Sequence, residues 1–176
     1  VLTDFVGGAL ALWGMRIENV LPHWEPGYWE CMPALSKSMG LSQSMTAEQF
    51  WMKINSYGEK FWQSLNETPY LRDVISLVGR TTADWHVITS PSRSVHCYSG
   101  KVWWLKYHLG QDFDRFAITP HKEIFAGPRV ILIDDNDANI QKFRAAGGNG
   151  ILFPRHNNSL HSLKEDPMQY VRQALT

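Results

Sequence analysis

The apolar positions of this chain gather into short runs that stop at polar residues. Three runs end in chemically capable groups: Val1–Leu2–Thr3–Asp4, "WHVITSP" from Trp85 to Pro91, and "RVILIDD" from Arg129 to Asp135. A fourth, "GILFP" at 150–154, ends in proline. Short stretches rich in Val and Ile, bounded by Gly, Pro and Asp, predict buried strands. Between them the spacing becomes helical. "YLRDVISLVGR" (70–80) repeats apolar residues at Leu71, Val74, Ile75 and Val78, and "GKVWWLKYHLG" (100–110) sets Val102, Leu105 and Leu109 on one side. "NDANIQKFRAAGG" (136–148) opens on capping residues and closes on glycines. Strands alternating with helices predict an α/β fold, a Rossmann-like parallel sheet with helices on both faces.

Residues 13–66 break this rhythm. They carry Pro22, Pro26 and Pro33, then the helical stretches "TAEQFWMKI" (46–54) and "EKFWQSL" (59–65), and five tryptophans, Trp13, Trp24, Trp29, Trp51 and Trp62. The pattern predicts a small helical cap inserted after the first strand, over a core made of residues 1–12 and 67–176. The tryptophans equally suit a cap that uses them as its own core.

Composition narrows the function. The chain has 176 residues, 44% hydrophobic and 19% charged, so it can bury a core and is not disordered. Lys+Arg and Asp+Glu balance at 17 each, which leaves no global field for a nucleic acid polymer or an anionic membrane. Any phosphate must be held locally. Two cysteines, Cys31 and Cys97, form neither a disulfide framework nor a zinc spacing, so a reducing cytoplasm is the expected compartment. No secretory leader and no membrane span is predicted.

In parallel sheets ligands sit at the carboxyl ends of strands. The predicted ends deliver Asp4, Thr89–Ser90 and Asp134–Asp135, with Lys101 and Lys122 between them. Phosphate-ester hydrolysis through an aspartyl-phosphate asks for a carboxylate nucleophile, a hard cation on oxygen ligands, and hydroxyl and lysine donors for the phosphoryl oxygens. Each residue also has a plain structural use. Asp4 before Gly7–Gly8 suits a turn, Ser90–Pro91 suits a helix N-cap, Asp134–Asp135 suits a turn and Lys122 suits the solvated surface. The histidines have plain readings too: His86 sits inside a predicted strand, and His156, His161 and Arg155 in the loop after the last one.

The order Asp4, Thr89, Lys122, Asp134–Asp135 resembles the haloacid dehalogenase superfamily. From about residue 57 to 161 the chain is similar to the 5'(3')-deoxyribonucleotidases, through "EKFWQSLNETP", "VITSP", "GKVWWLKYHLG", "ITPHKE", "ILIDDNDAN" and "ILFPRHNNSLH". The resemblance implies Asp4 as nucleophile and Mg²⁺ ligand, with Asp135 as second ligand and Asp134 holding a metal-bound water. It implies Thr89 and Ser90 on the phosphoryl oxygens, Lys122 neutralising the phosphate and Lys101 assisting from a helix start. Phe61 and Trp62 would stack on the nucleobase of a small-molecule nucleotide or related phosphate ester. A homodimer is compatible with this reading.

Position 6 departs from that pattern. The family's phosphatases carry Asp two residues after the nucleophile, where its carbonyl ligates Mg²⁺ and its side chain protonates the leaving oxygen. Val6 keeps only the carbonyl. The loss of acid–base help is worth about 10²–10⁴ in rate. Three readings follow: a phosphohydrolase of nucleoside or deoxynucleoside monophosphates, a nucleotide-binding protein with little or no hydrolysis, or a reaction whose leaving group needs no proton. Gly8, where the family often has Thr or Val, is expected to loosen the turn after the nucleophile.

Overall fold

The alternation of short apolar runs and helical spacings is realised as a mixed α/β fold, described here for residues 1–175 from a computed structural model. In chain order the elements are α1 (Phe5–Ala11), α2 (Ile17–Val20), α3 (Met32–Ser38), α4 (Ala47–Ser56), α5 (Glu59–Gln63), α6 (Leu71–Thr81), β1 (Val87–Thr89), α7 (His96–Leu109), β2 (Phe116–Ile118), β3 (Ile131–Asp134), α8 (Asp137–Ala145), β4 (Asn149–Leu152) and α9 (Pro167–Ala174). Among the described residues no helix is long and apolar enough to cross a membrane.

The strands pair in parallel, which their long helix-containing connections allow. They form two small sheets in place of one continuous sheet. β1 pairs with β2, Val87 opposite Phe116 and Thr89 opposite Ile118. β3 pairs with β4, Ile131 opposite Asn149 and Asp134 opposite Leu152. The expected first strand, Val1–Asp4, is not formed. Thr3 makes only an isolated antiparallel bridge to Glu67, and Asp4 already caps α1.

Alternation along β3 and β4 explains the packing on them. Ile133 and Ile151 share one cluster with Phe153, Val74 of α6, and Met168 and Val171 of α9. Leu132 and Leu152 face the other way, onto Ile140 and Phe143 of α8. This sheet therefore has helices on both faces. α8 starts at Asn136, whose side chain accepts the Asn139 N–H at 3.0 Å, and stops where Gly147 takes φ +89. That conformation is open to glycine at little cost.

The chain divides into two compact units. The first holds Val1–Leu2, Thr68–Ser90 and everything from Arg115 onward; the second holds Thr3–Glu67 and Pro91–Asp114. Residues 3–12 and α7 were expected in the α/β core and instead belong with the helical segment. The reason for α7 is its fit on α5. A Cβ on Gly100 would lie 2.6 Å from Trp62 Cβ and 2.7 Å from the Glu59 carbonyl oxygen, so only glycine permits the approach. Trp104 Nε1 donates to the Leu65 carbonyl at 2.7 Å, and Ser99 Oγ to Glu59 at 2.7 Å.

Candidate functional site

In the first unit, β3 runs directly into two adjacent acids with different surroundings. Asp134 is buried, and both oxygens of its carboxylate are hydrogen-bonded. Its Oδ2 meets Lys122 Nζ in a short ion pair and accepts Asn139 Nδ2 at 3.2 Å, while Oδ1 accepts the Asn136 N–H at 2.8 Å. Lys122 sits in a 3₁₀ turn, Lys122–Phe125, and is itself 8% exposed. A buried lysine is tolerable because the carboxylate compensates it. The expected part for Asp134, holding a metal-bound water, changes accordingly: its acceptor capacity is spent on anchoring Lys122 and the start of α8.

Asp135 is the more open acid, its side chain 30% exposed. Its Oδ2 lies 3.3 Å from the Val1 nitrogen and 4.0 Å from Arg155 Nε. Its Oδ1 takes no hydrogen bond from the described residues. Arg155 and the nearby Lys122 are positive charges that favour its ionised form. Magnesium asks for hard oxygen ligands. A carboxylate with an unengaged oxygen fits that demand at Asp135; the saturated carboxylate of Asp134 does not.

Two residues of the loop after β4, Arg155 and Asn158, hold this acid in place. Arg155 lies over the Tyr70 ring at 5.3 Å and the Phe153 ring at 5.2 Å, and donates to the Val1 carbonyl at 3.3 Å. Asn158 is fully buried and donates to the carbonyls of Asp135, at 3.0 Å, and Phe153, at 2.8 Å. Nothing in the spacing of "PRHNN" announces either contact, because both bridge more than one turn of chain.

Thr89 ends β1, and its carbonyl accepts the Thr119 N–H at 2.9 Å. Ser90 follows it but caps no helix. α7 begins only at His96, with Val95 at its cap position, so the expected pairing of Ser90 as N-cap with Pro91 is not realised.

The remaining candidates lie in the second unit. Asp4 is the N-cap of α1, its Oδ1 accepting the Gly7 N–H at 2.9 Å. A Cβ on Gly7 would fall 2.0 Å from Asp4 Oδ2, so the carboxylate occupies space that any other residue would fill. A Cβ on Gly8 would meet Leu65 at 2.4 Å. That glycine admits a neighbouring side chain and does not loosen the turn. Val6 lies in the first turn of α1, where helical carbonyls point along the axis toward amides four residues on. Its expected offer of a carbonyl to a metal is not made in this conformation.

Phe61 and Trp62, expected to stack on a base, are each 3% exposed. Phe5 stacks on Trp62 at 5.8 Å and meets Phe61 edge-on at 5.9 Å, so these rings build the core beneath α1. Trp62 Nε1 is buried without a hydrogen-bond partner among the described residues. Lys101 is in the second turn of α7, not at its start, with Nζ 5.1 Å from the Trp62 ring.

The structure thus brings Lys122, Asp134 and Asp135 together, and separately brings Lys101 to Trp62. No protein-family model, curated protein or solved structure matches this chain.

Proposed function

We propose that the chain is a Mg²⁺-dependent phosphohydrolase of haloacid dehalogenase type, acting on nucleoside or deoxynucleoside monophosphates. The observation that carries the reading is the buried Lys122–Asp134 pair beside the more open Asp135 at the carboxyl end of a parallel strand. A lysine fixed by a buried carboxylate is a positioned positive charge, which is what a transferring phosphoryl group requires. Asp135 is the carboxylate of the first unit assigned to the cation, and Asp4 is assigned to it by the family resemblance alone; the cation would supply charge neutralisation for the phosphoryl oxygens.

In this reading an Asp4 oxygen attacks phosphorus, the ester P–O bond breaks, and the phosphoryl group is carried on Asp4. Thr89 and Ser90 donate to the phosphoryl oxygens, and Lys122 offsets their charge. Water then attacks phosphorus, releasing phosphate and restoring the Asp4 carboxylate. The departing alkoxide must find its proton elsewhere than position 6. Phe61 and Trp62 belong to the core beneath α1 and hold no base in this reading, and Lys101 stays beside the Trp62 ring.

A second reading is favoured by Val6 and by the Asp4–Gly7 hydrogen bond that engages the nucleophile: nucleotide binding with little or no hydrolysis. Phosphate release from a panel of nucleoside monophosphates with Mg²⁺ decides between them. The enzyme reading expects turnover that Asp4→Asn abolishes. Saturable nucleotide binding with no phosphate released would leave the second. Under the enzyme reading Val6→Asp speeds esters with poor leaving groups, by up to about 10²–10⁴-fold.

A further inference from the structure

The loop after β4 returns to the acidic turn at the end of β3, and one side chain makes most of that return. Asn158 is 0% exposed. Its Oδ1 accepts the Arg155 and Leu160 N–H groups at 3.2 and 3.1 Å, which closes the loop on itself. Its Nδ2 donates to the Phe153 carbonyl at 2.8 Å and, across the chain, to the Asp135 carbonyl at 3.0 Å. A buried amide is costly unless its polar atoms have partners, and here both atoms are fully engaged.

The bond to Asp135 lands on the backbone of the acid and not on its carboxylate. The Phe153 N–H holds the preceding carbonyl, that of Asp134, at 2.7 Å. The peptide planes on either side of the Asp135 Cα are therefore both tied to the 153–158 segment, and the Cα–Cβ bond of the acid is left one direction. Ser159 adds a tie further along the turn, its N–H donating to Asp137 Oδ2 at 3.3 Å and its hydroxyl to Asp137 Oδ1. The Oδ1 contacts of Asn158 already close its own loop. The donation to Asp135 does something further: it fixes the aim of a carboxylate that keeps an oxygen unengaged.

We propose that Asn158 is a positioning residue of the cation site, aiming the Asp135 carboxylate through the backbone and so setting the affinity for Mg²⁺. This role rests on the phosphohydrolase reading, in which Asp135 holds the metal. Groups that orient a metal ligand without touching the metal are worth about 10–100-fold in affinity.

The test uses the full chain and Mn²⁺, a paramagnetic probe of Mg²⁺ sites, with the free ion read by electron paramagnetic resonance. Asn158→Leu and Asn158→Ala both remove the donor to Asp135, and each should weaken Mn²⁺ by about 10–100-fold. Val171→Ala, in the apolar cluster that includes Ile151, lowers stability without removing a polar contact and should bind Mn²⁺ as the unaltered chain does. Asn158 variants that bind Mn²⁺ undiminished would overturn the positioning role and leave the phosphohydrolase reading standing. So would an equal loss in Val171→Ala, since the effect would then follow stability alone. An unaltered chain without saturable Mn²⁺ binding would instead overturn that reading, and the role with it. Should neither Asn158 variant fold, the unaltered chain decides. Mg²⁺ should shift the side-chain amide resonance of Asn158 in NMR, and a resonance that stays in place at saturating Mg²⁺ would overturn the proposal.

Discussion

Asp134 and Asp135 are neighbours in sequence with opposite employment, and the difference lies in how many donors reach each carboxylate. Asp134 is enclosed by Lys122, Asn139 and the Asn136 amide. Removing the lysine leaves a buried charge without compensation, which costs about 3–5 kcal/mol. Lys122→Met should therefore lower unfolding stability by that amount in urea titrations, and combining it with Asp134→Leu should recover a large part of the loss. This division of labour was not legible beforehand. Two adjacent aspartates look alike in a sequence, and the partner that separates them lies twelve residues away in a turn.

At the scale of elements, the runs that end in Gly, Pro or Asp were readable because burial on both faces demands unbroken apolar residues. The stretches at 85–91, 129–135 and 150–154 became β1, β3 and β4, and 70–80, 100–110 and 136–148 became α6, α7 and α8. β2 escaped notice because it is three residues long and takes its form from pairing with β1, not from its own pattern. α1 was hidden by Gly7 and Gly8, poor helix formers that are present for close approach to Asp4 and Leu65. α7 shows how one small residue decides an interface. Gly100→Ala improves intrinsic helix propensity, yet its methyl would press into Trp62 and the backbone of Glu59. We expect a net loss of about 1–3 kcal/mol in chemical denaturation, because overpacking outweighs the propensity gain.

At the scale of the whole chain, each unit is discontinuous. The backbone passes from one to the other after Leu2, Glu67, Ser90 and Asp114. The second unit therefore needs two separate stretches, since α5 depends on α7 for its packing partner. A fragment of residues 3–67 alone should show little helical signal in far-ultraviolet circular dichroism. The same fragment joined through a flexible linker to residues 91–114 should regain it. The interleaving also governs how such a gene can vary by recombination. No single crossover point separates it into two self-sufficient pieces, because any breakpoint beyond codon 2 divides the first unit's own coding segments. Viable chimaeras between diverged copies would have to exchange paired inserts, so the two units are bound to be inherited together.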